Sequence, residues 1–184
     1  MLPRPAPPRG AAASPVFRNR LPAMHIQDLL SQRRVLLGMP VSSKKRLLEK
    51  LGELLGHDAA GLNAQQAFQA LIDRERLGST GIGEGVALPH GRVKGLARPV
   101  GAFCTLERAM DFDSIDHKPV TMVFALLVPE RANEEHLKIL SELAGLFSNK
   151  AWRQGLLAAR SPEDLYARLT GDAARPDDSQ AHDR

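Results

Sequence analysis

The sequence predicts one α/β domain, a single β-sheet covered by helices. Three observations carry that prediction. Helix and strand signals alternate along the middle of the chain instead of falling into separate blocks. The run "PVTMVFALLV" (119–128) is apolar on both faces, as a central strand with a layer on each side must be. The chain has 184 residues, enough for one sizeable core, and its hydrophobic (43%) and charged (25%) fractions are those of an ordinary globular protein.

The elements follow in order. A short helix is expected over Ile26–Ser31. "SSKKRLLEKLGELLGH" (42–57) puts Leu47, Leu51, Leu54 and Leu55 on one face at helical spacing, with Ser42 or Ser43 as N-cap. "NAQQAFQALIDRERLG" (63–78) opens with Asn63 and carries Gln66 three residues on, the arrangement of a capping box, and Gly78 is its expected stop. "VAL" (86–88) reads as a short strand leading into Pro89-His90. "VGAFCTL" (100–106) and 119–128 read as two more strands. "NEEHLKILSELAGLFS" (133–148) reads as a helix capped by Asn133, with Leu137, Leu140, Ala144 and Phe147 on one stripe. Two helices complete the order α-α-β-β-β-α-α-α: "NKAWRQGLLAAR" and "SPEDLYARLTG", the latter opening on Ser161 with proline behind it. There is no internal repeat.

The ends differ from this core. Residues 1–23 hold six prolines and four arginines (Arg4, Arg9, Arg18 and Arg20) without one acidic residue. Such a stretch has little apolar surface to bury, so it is expected to be a disordered tail, as is 171–184, with the domain spanning 24–170. Met24 stands where the domain begins, and it is a plausible true start. The two tails carry +4 and −2 of the formal net charge of +4, which leaves +2 for residues 24–170. That balance argues against a nucleic-acid-binding face. No apolar run reaches the roughly 18–20 residues needed to span a bilayer. The single cysteine, Cys104, has no partner for an internal disulfide and sits mid-strand, so a reducing cytosol is the simplest compartment and a core role the simplest reading of the thiol.

Chemistry concentrates in "GSTGIGEGVALPHGR" (78–92), where five glycines surround His90. Known phosphate loops do not fit. Gly81, Gly83 and Gly85 are followed by Val86, which breaks the dinucleotide pattern, and the loop follows a helix and leads into a strand, the reverse of the order that pattern needs. There is no Walker lysine and no G-x-S-x-G elbow. No histidine pair or cysteine pair has metal-ligand spacing, so no metal is expected. What remains is a histidine presented by a rigid turn. Pro89 restricts the backbone before it, and Gly91 lets the chain turn and approach a ligand. Ser79, Thr80 and nearby amides are candidate donors to an anion. An imidazole with an ordinary pKa near 6.5 is mostly a neutral nucleophile at neutral pH, so the loop is suited to making and holding a phosphohistidine. His25, His57 and His117 match no motif and are expected at the surface; His182 lies in the tail.

The pattern E-x6-I-G-x2-V-A-L-P-H-G, from Glu75 to Gly91, resembles the phosphorylation-site signature of the mannitol/fructose-type enzyme IIA domains of the phosphoenolpyruvate-dependent phosphotransferase system. Within that family, "DRERLGSTGIGEGVALPHG" and "FDSIDHKPVTMVFALLVPE" look most like the nitrogen-regulatory branch. The resemblance covers roughly residues 26–170. It implies a mixed sheet with helices on both sides, phosphorylation of His90 at Nε2 by an HPr-like phosphocarrier protein, and no cofactor. It also implies an active-site arginine at Arg74 and a second active-site histidine at His136. The physical reading of His136 agrees, because the positive end of a helix dipole disfavours an imidazolium there. Nitrogen-branch members regulate target proteins, such as transporters or sensor kinases, according to phosphorylation state. The alternative within the family is a sugar-specific subunit that passes its phosphoryl group to a IIB domain. Outside the family, the rivals are a binding module in which His90 is never modified and a histidine-dependent hydrolase; the latter lacks an apparent serine or cysteine nucleophile.

Overall fold

The computed structural model describes residues 25–59 and 61–171. Met24 and the tails expected at 1–23 and 171–184 lie outside the described residues, Gly171 apart. The order is α1 (Ile26–Leu29), a 3-10 turn (Gln32–Arg34), β1 (Val35–Met39), α2 (Lys44–Asp58), α3 (Ala64–Arg76), β2 (Gly81–Gly83), β3 (Val86–Ala87), β4 (His90–Val93), β5 (Val100–Met110), β6 (Val120–Pro129), α4 (Asn133–Ser148), α5 (Lys150–Leu157) and α6 (Pro162–Thr170).

The six strands form one mixed sheet in the order β1-β5-β6-β3-β2. The central strand β6 runs antiparallel to β5 on one side. On its other side it runs parallel to β3 and then to β4, which follow one another along the same edge. Strict alternation along β6 builds two cores. Val123, Ala125 and Leu127 face α2 and α3, together with Ala102 and Cys104 of β5. Met122, Phe124, Leu126 and Val128 face the other way, toward α1, α4, α5 and α6, and join Phe103, Phe147 and Trp152. Phe103 and Phe147 stack there with ring centroids 5.9 Å apart.

The local signals explain most helix ends. The Ser43 hydroxyl accepts the Arg46 amide and caps α2. Asn63 and Gln66 form the reciprocal capping box of α3. Ser161 accepts the Asp164 amide at the start of α6, with Pro162 behind it. Helices α2 and α3 approach closely because α2 carries glycines at the contact: a Cβ on Gly56 would stand 2.4 Å from the Ala64 nitrogen, and one on Gly52 2.9 Å from the Ala64 carbonyl oxygen.

Three strands were not predicted. β1 is short, follows two arginines, and is interrupted by Gly38, whose positive φ of 66° coincides with a shift in its pairing register with β5. β2 and β4 fall inside the glycine-rich stretch expected to be a loop. The Glu84-Gly85 pair has positive φ at both residues, so "GIGEGVA" is a tight hairpin of β2 and β3. Two expectations for α4 are also corrected. The helix begins at Asn133 itself, with Ala132 at the cap position and no side-chain cap. Leu137 is 68% exposed; the inward stripe is His136, Ile139, Leu143 and Phe147, with Leu140 and Ala144 half-buried beside it.

Candidate functional site around His90 and His136

His90 is the first residue of β4, not part of a turn. Its ring Nδ1 lies 2.8 Å from the Leu88 carbonyl oxygen. A carbonyl only accepts, so Nδ1 carries the proton and Nε2 keeps its lone pair. The ring is half-buried, and that burial, helped by the Arg74 charge, holds its pKa below the usual value. His90 is therefore a neutral imidazole with the lone pair on Nε2.

His136 stands beside it. The two rings are T-shaped, with centroids 5.2 Å apart. β4 brings one ring and the first turns of α4 bring the other, 46 residues apart in the numbering. His136 is only 6% exposed. Burial first, then the neighbouring His90, Arg92 and Arg74, pull its pKa down to about 4, so it too is neutral. Its Nδ1 receives the Arg92 Nε–H at 3.5 Å. Its Nε2 is buried and has no hydrogen-bond partner among the described residues.

Arg74, near the end of α3, donates to the Gly78 carbonyl at 3.0 Å, and its charge bears on both histidines. The structure thus brings together His90, His136 and Arg74.

Ser79, Thr80 and Gly91 have other duties. The Ser79 hydroxyl donates to the Phe112 carbonyl and accepts the Gly81 amide. The Thr80 hydroxyl and amide both donate to the Glu75 carboxylate, and Thr80 is 5% exposed. The Glu84 amide is bonded to Asp116. These hydroxyls and amides are therefore already bonded, tying the hairpin to α3 and to the loop after β5. Gly91 is buried in β4, where a Cβ would lie 2.7 Å from the Ala70 carbonyl oxygen; it lets α3 lie against the strand.

Three residues escaped sequence reasoning. Glu75, 7% exposed, receives Thr80 and the Lys44 ammonium at 3.1 Å. Lys44 also donates to the Phe112 carbonyl and to Asp113, and lies over the Phe112 ring. Arg92 is the third. It shares a face of β4 with His90, two residues on, a signal legible only once 90–93 is known to be a strand. Cys104 is fully buried in β5, and burial pushes its thiol up to about 12, which leaves it inert. His25, His57 and His117 are exposed, as expected. Among the described residues, no helix is long and apolar enough to cross a membrane.

Comparison with known proteins gives this geometry its family. Residues 28–171 match the model of the phosphoenolpyruvate-dependent sugar phosphotransferase system EIIA 2 family. The chain is 40% identical over 143 residues to the nitrogen regulatory protein of Pseudomonas aeruginosa, covering 78% of this chain and 93% of that one. Among solved structures it is similar to the nitrogen regulatory protein IIA-Ntr of Neisseria meningitidis, with a TM-score of 0.74 and 46% identity over 79% of this chain and 99% of that one. The mannitol IIA of Escherichia coli, 23% identical, shares the fold with a TM-score of 0.64 over 76% of this chain and 98% of that one. The chain belongs to the phosphotransferase-system EIIA 2 family, and its relatives include nitrogen regulatory proteins of 40–46% identity.

Proposed function

We propose that His90 takes a phosphoryl group on Nε2 from the phosphohistidine of an HPr-like carrier protein, and that the protein regulates target proteins by this change of state. The observation that carries the reading is the bond from His90 Nδ1 to the Leu88 carbonyl. It leaves the Nε2 lone pair free without any base to remove a proton.

The step balances simply. The Nε2 lone pair forms the new N–P bond as the donor's N–P bond breaks, and the donor ring nitrogen keeps that electron pair. The Nδ1 proton stays on Leu88's carbonyl side throughout. The transition state of such transfers is loose, so the site has to position and stabilise charge rather than supply covalent chemistry. Arg74 supplies a permanent positive charge beside both rings. His136, held neutral, offers an N–H to a phosphoryl oxygen. Ser79 and Thr80, bonded to Phe112 and Glu75, support the loop instead of the phosphoryl group.

Similarity to nitrogen regulatory proteins supports the regulatory reading over sugar transport. Incubation with phosphoenolpyruvate and the upstream carrier proteins should add one phosphoryl group by intact mass, and His90→Ala should add none. Acid-labile label persisting in His90→Ala would sink the assignment. Pull-downs with the two forms should retain different partners; efficient passage of the group to a sugar-specific IIB domain would favour the transport role instead.

A further inference from the structure

We infer that Arg92 is a positioning residue for phosphoryl transfer: by donating to Nδ1 of His136, it fixes the ring tautomer whose Nε2–H is presented beside His90. The inference rests on the reading of His90 as the phosphorylated residue.

A guanidinium has five N–H donors and no acceptor. The His136 nitrogen that faces it at 3.5 Å must therefore accept. In a neutral imidazole, the other nitrogen then carries the proton. A second proton on the ring would set an N–H against the Arg92 N–H at a part-buried contact, with the charges of Arg92 and Arg74 both opposing it.

The resulting Nε2–H is buried and has no partner among the described residues. A buried donor left without a partner is costly, and folded proteins rarely tolerate it. Among the described residues, Ser114 Oγ and Trp152 Nε1 are also buried without a partner, but only His136 stands against the His90 ring. A phosphoryl group on His90 adds three strong acceptor oxygens beside that donor. The unmet bond thus becomes a bond made only in the phosphorylated state.

Strand geometry makes the arrangement economical. His90 and Arg92 alternate with Gly91, so both side chains leave β4 on one face while Gly91 accommodates α3 on the other. One four-residue strand carries the nucleophile and the residue that orients its neighbour.

The test uses the full chain with 15N-labelled histidine. In the unphosphorylated protein, long-range 1H–15N correlation reports which ring nitrogen of His136 holds the proton. Wild type should show it on Nε2. Arg92→Met, at an exposed position, should show a mixture of tautomers. At a fixed ratio of phosphorylated to free carrier, the equilibrium constant for phosphorylation of Arg92→Met should fall about five- to tenfold, the loss expected for one hydrogen bond. Arg92→Lys, also donor-only, should restore part of both. A His136 proton on Nδ1 in wild type overturns the inference. So does an Arg92→Met protein whose tautomer or equilibrium constant equals that of wild type. Were His90 not the phosphorylated residue, wild type would take no label on it, and the tautomer measurement alone would then decide the role of Arg92.

Discussion

Two buried polar groups lie near His90, and they are built on opposite plans. The Glu75 carboxylate is the closed side of the site: it receives the Thr80 amide, the Thr80 hydroxyl and the Lys44 ammonium. The His136 ring is the open side: one nitrogen is bonded to Arg92 and the other has no partner among the described residues. A satisfied buried network fixes a conformation, whereas an unsatisfied one carries a cost that only a ligand relieves. The difference separates the part of the site that holds shape from the part that leaves a buried donor open.

The largest effect should come from breaking the closed side. Glu75→Ala leaves the Thr80 donors and Lys44 facing a void. It should cost about 2–4 kcal/mol of stability in denaturant titration. Glu75→Gln, which keeps the shape and one acceptor, should cost less. A Glu75→Ala protein as stable as wild type would mean that the network is incidental.

Gly91→Ala tests the same rigid half from the strand. The added methyl meets the Ala70 backbone, which cannot swing away as a side chain would. A loss of about 1–3 kcal/mol is expected from overpacking. Were Gly91 instead needed to approach a phosphoryl group, labelling of the folded variant would collapse while stability held.

The open side should show itself through pH. The His136 pKa is depressed from 6.5 to about 4. Between those values the unfolded chain binds a proton that the folded ring refuses, so stability should fall as pH drops through that window. The contribution should reach about 1–2 kcal/mol by the lower end, less than the full shift implies because solvent screens part of the neighbouring charge. His136→Gln should flatten the slope of melting temperature against pH between these limits. An unchanged slope would place the titration elsewhere.

The contrast also explains what could be read from the sequence. His90, Arg74 and His136 carry motif or helix-position signals, and the structure brings all three together. Helix starts with a side-chain cap, at Ser43, Asn63 and Ser161, were legible for the same local reason. The start of α4 was not, because the helix begins one residue earlier than a cap at Asn133 requires, with Ala132 at the cap position. The strands β2 and β4 were hidden because glycine and proline there mark a hairpin and a change of strand along the β6 edge, features that exist only once the sheet is assembled. Arg92 depends on that sheet for its meaning. Glu75 stood in the motif from the start, but its partners Thr80 and Lys44 come from a loop and a distant helix, and no spacing announces them.

Ser79 provides the smallest and most discriminating test. The sequence offered its hydroxyl as a phosphoryl ligand; the structure has it donating to Phe112 and accepting from Gly81, which ties the start of the hairpin to the loop after β5. If that duty is its whole role, Ser79→Ala removes two bonds at a half-buried site and should cost about 0.5–1.5 kcal/mol. Its equilibrium constant for phosphorylation should stay within about twofold of wild type, because no bond to the phosphoryl group is lost. The opposite pattern, unchanged stability with a tenfold weaker equilibrium, would move Ser79 to the open side. It would mean that the hydroxyl leaves Phe112 when the phosphoryl group arrives, and that the closed half of the site is less rigid than its bonds imply.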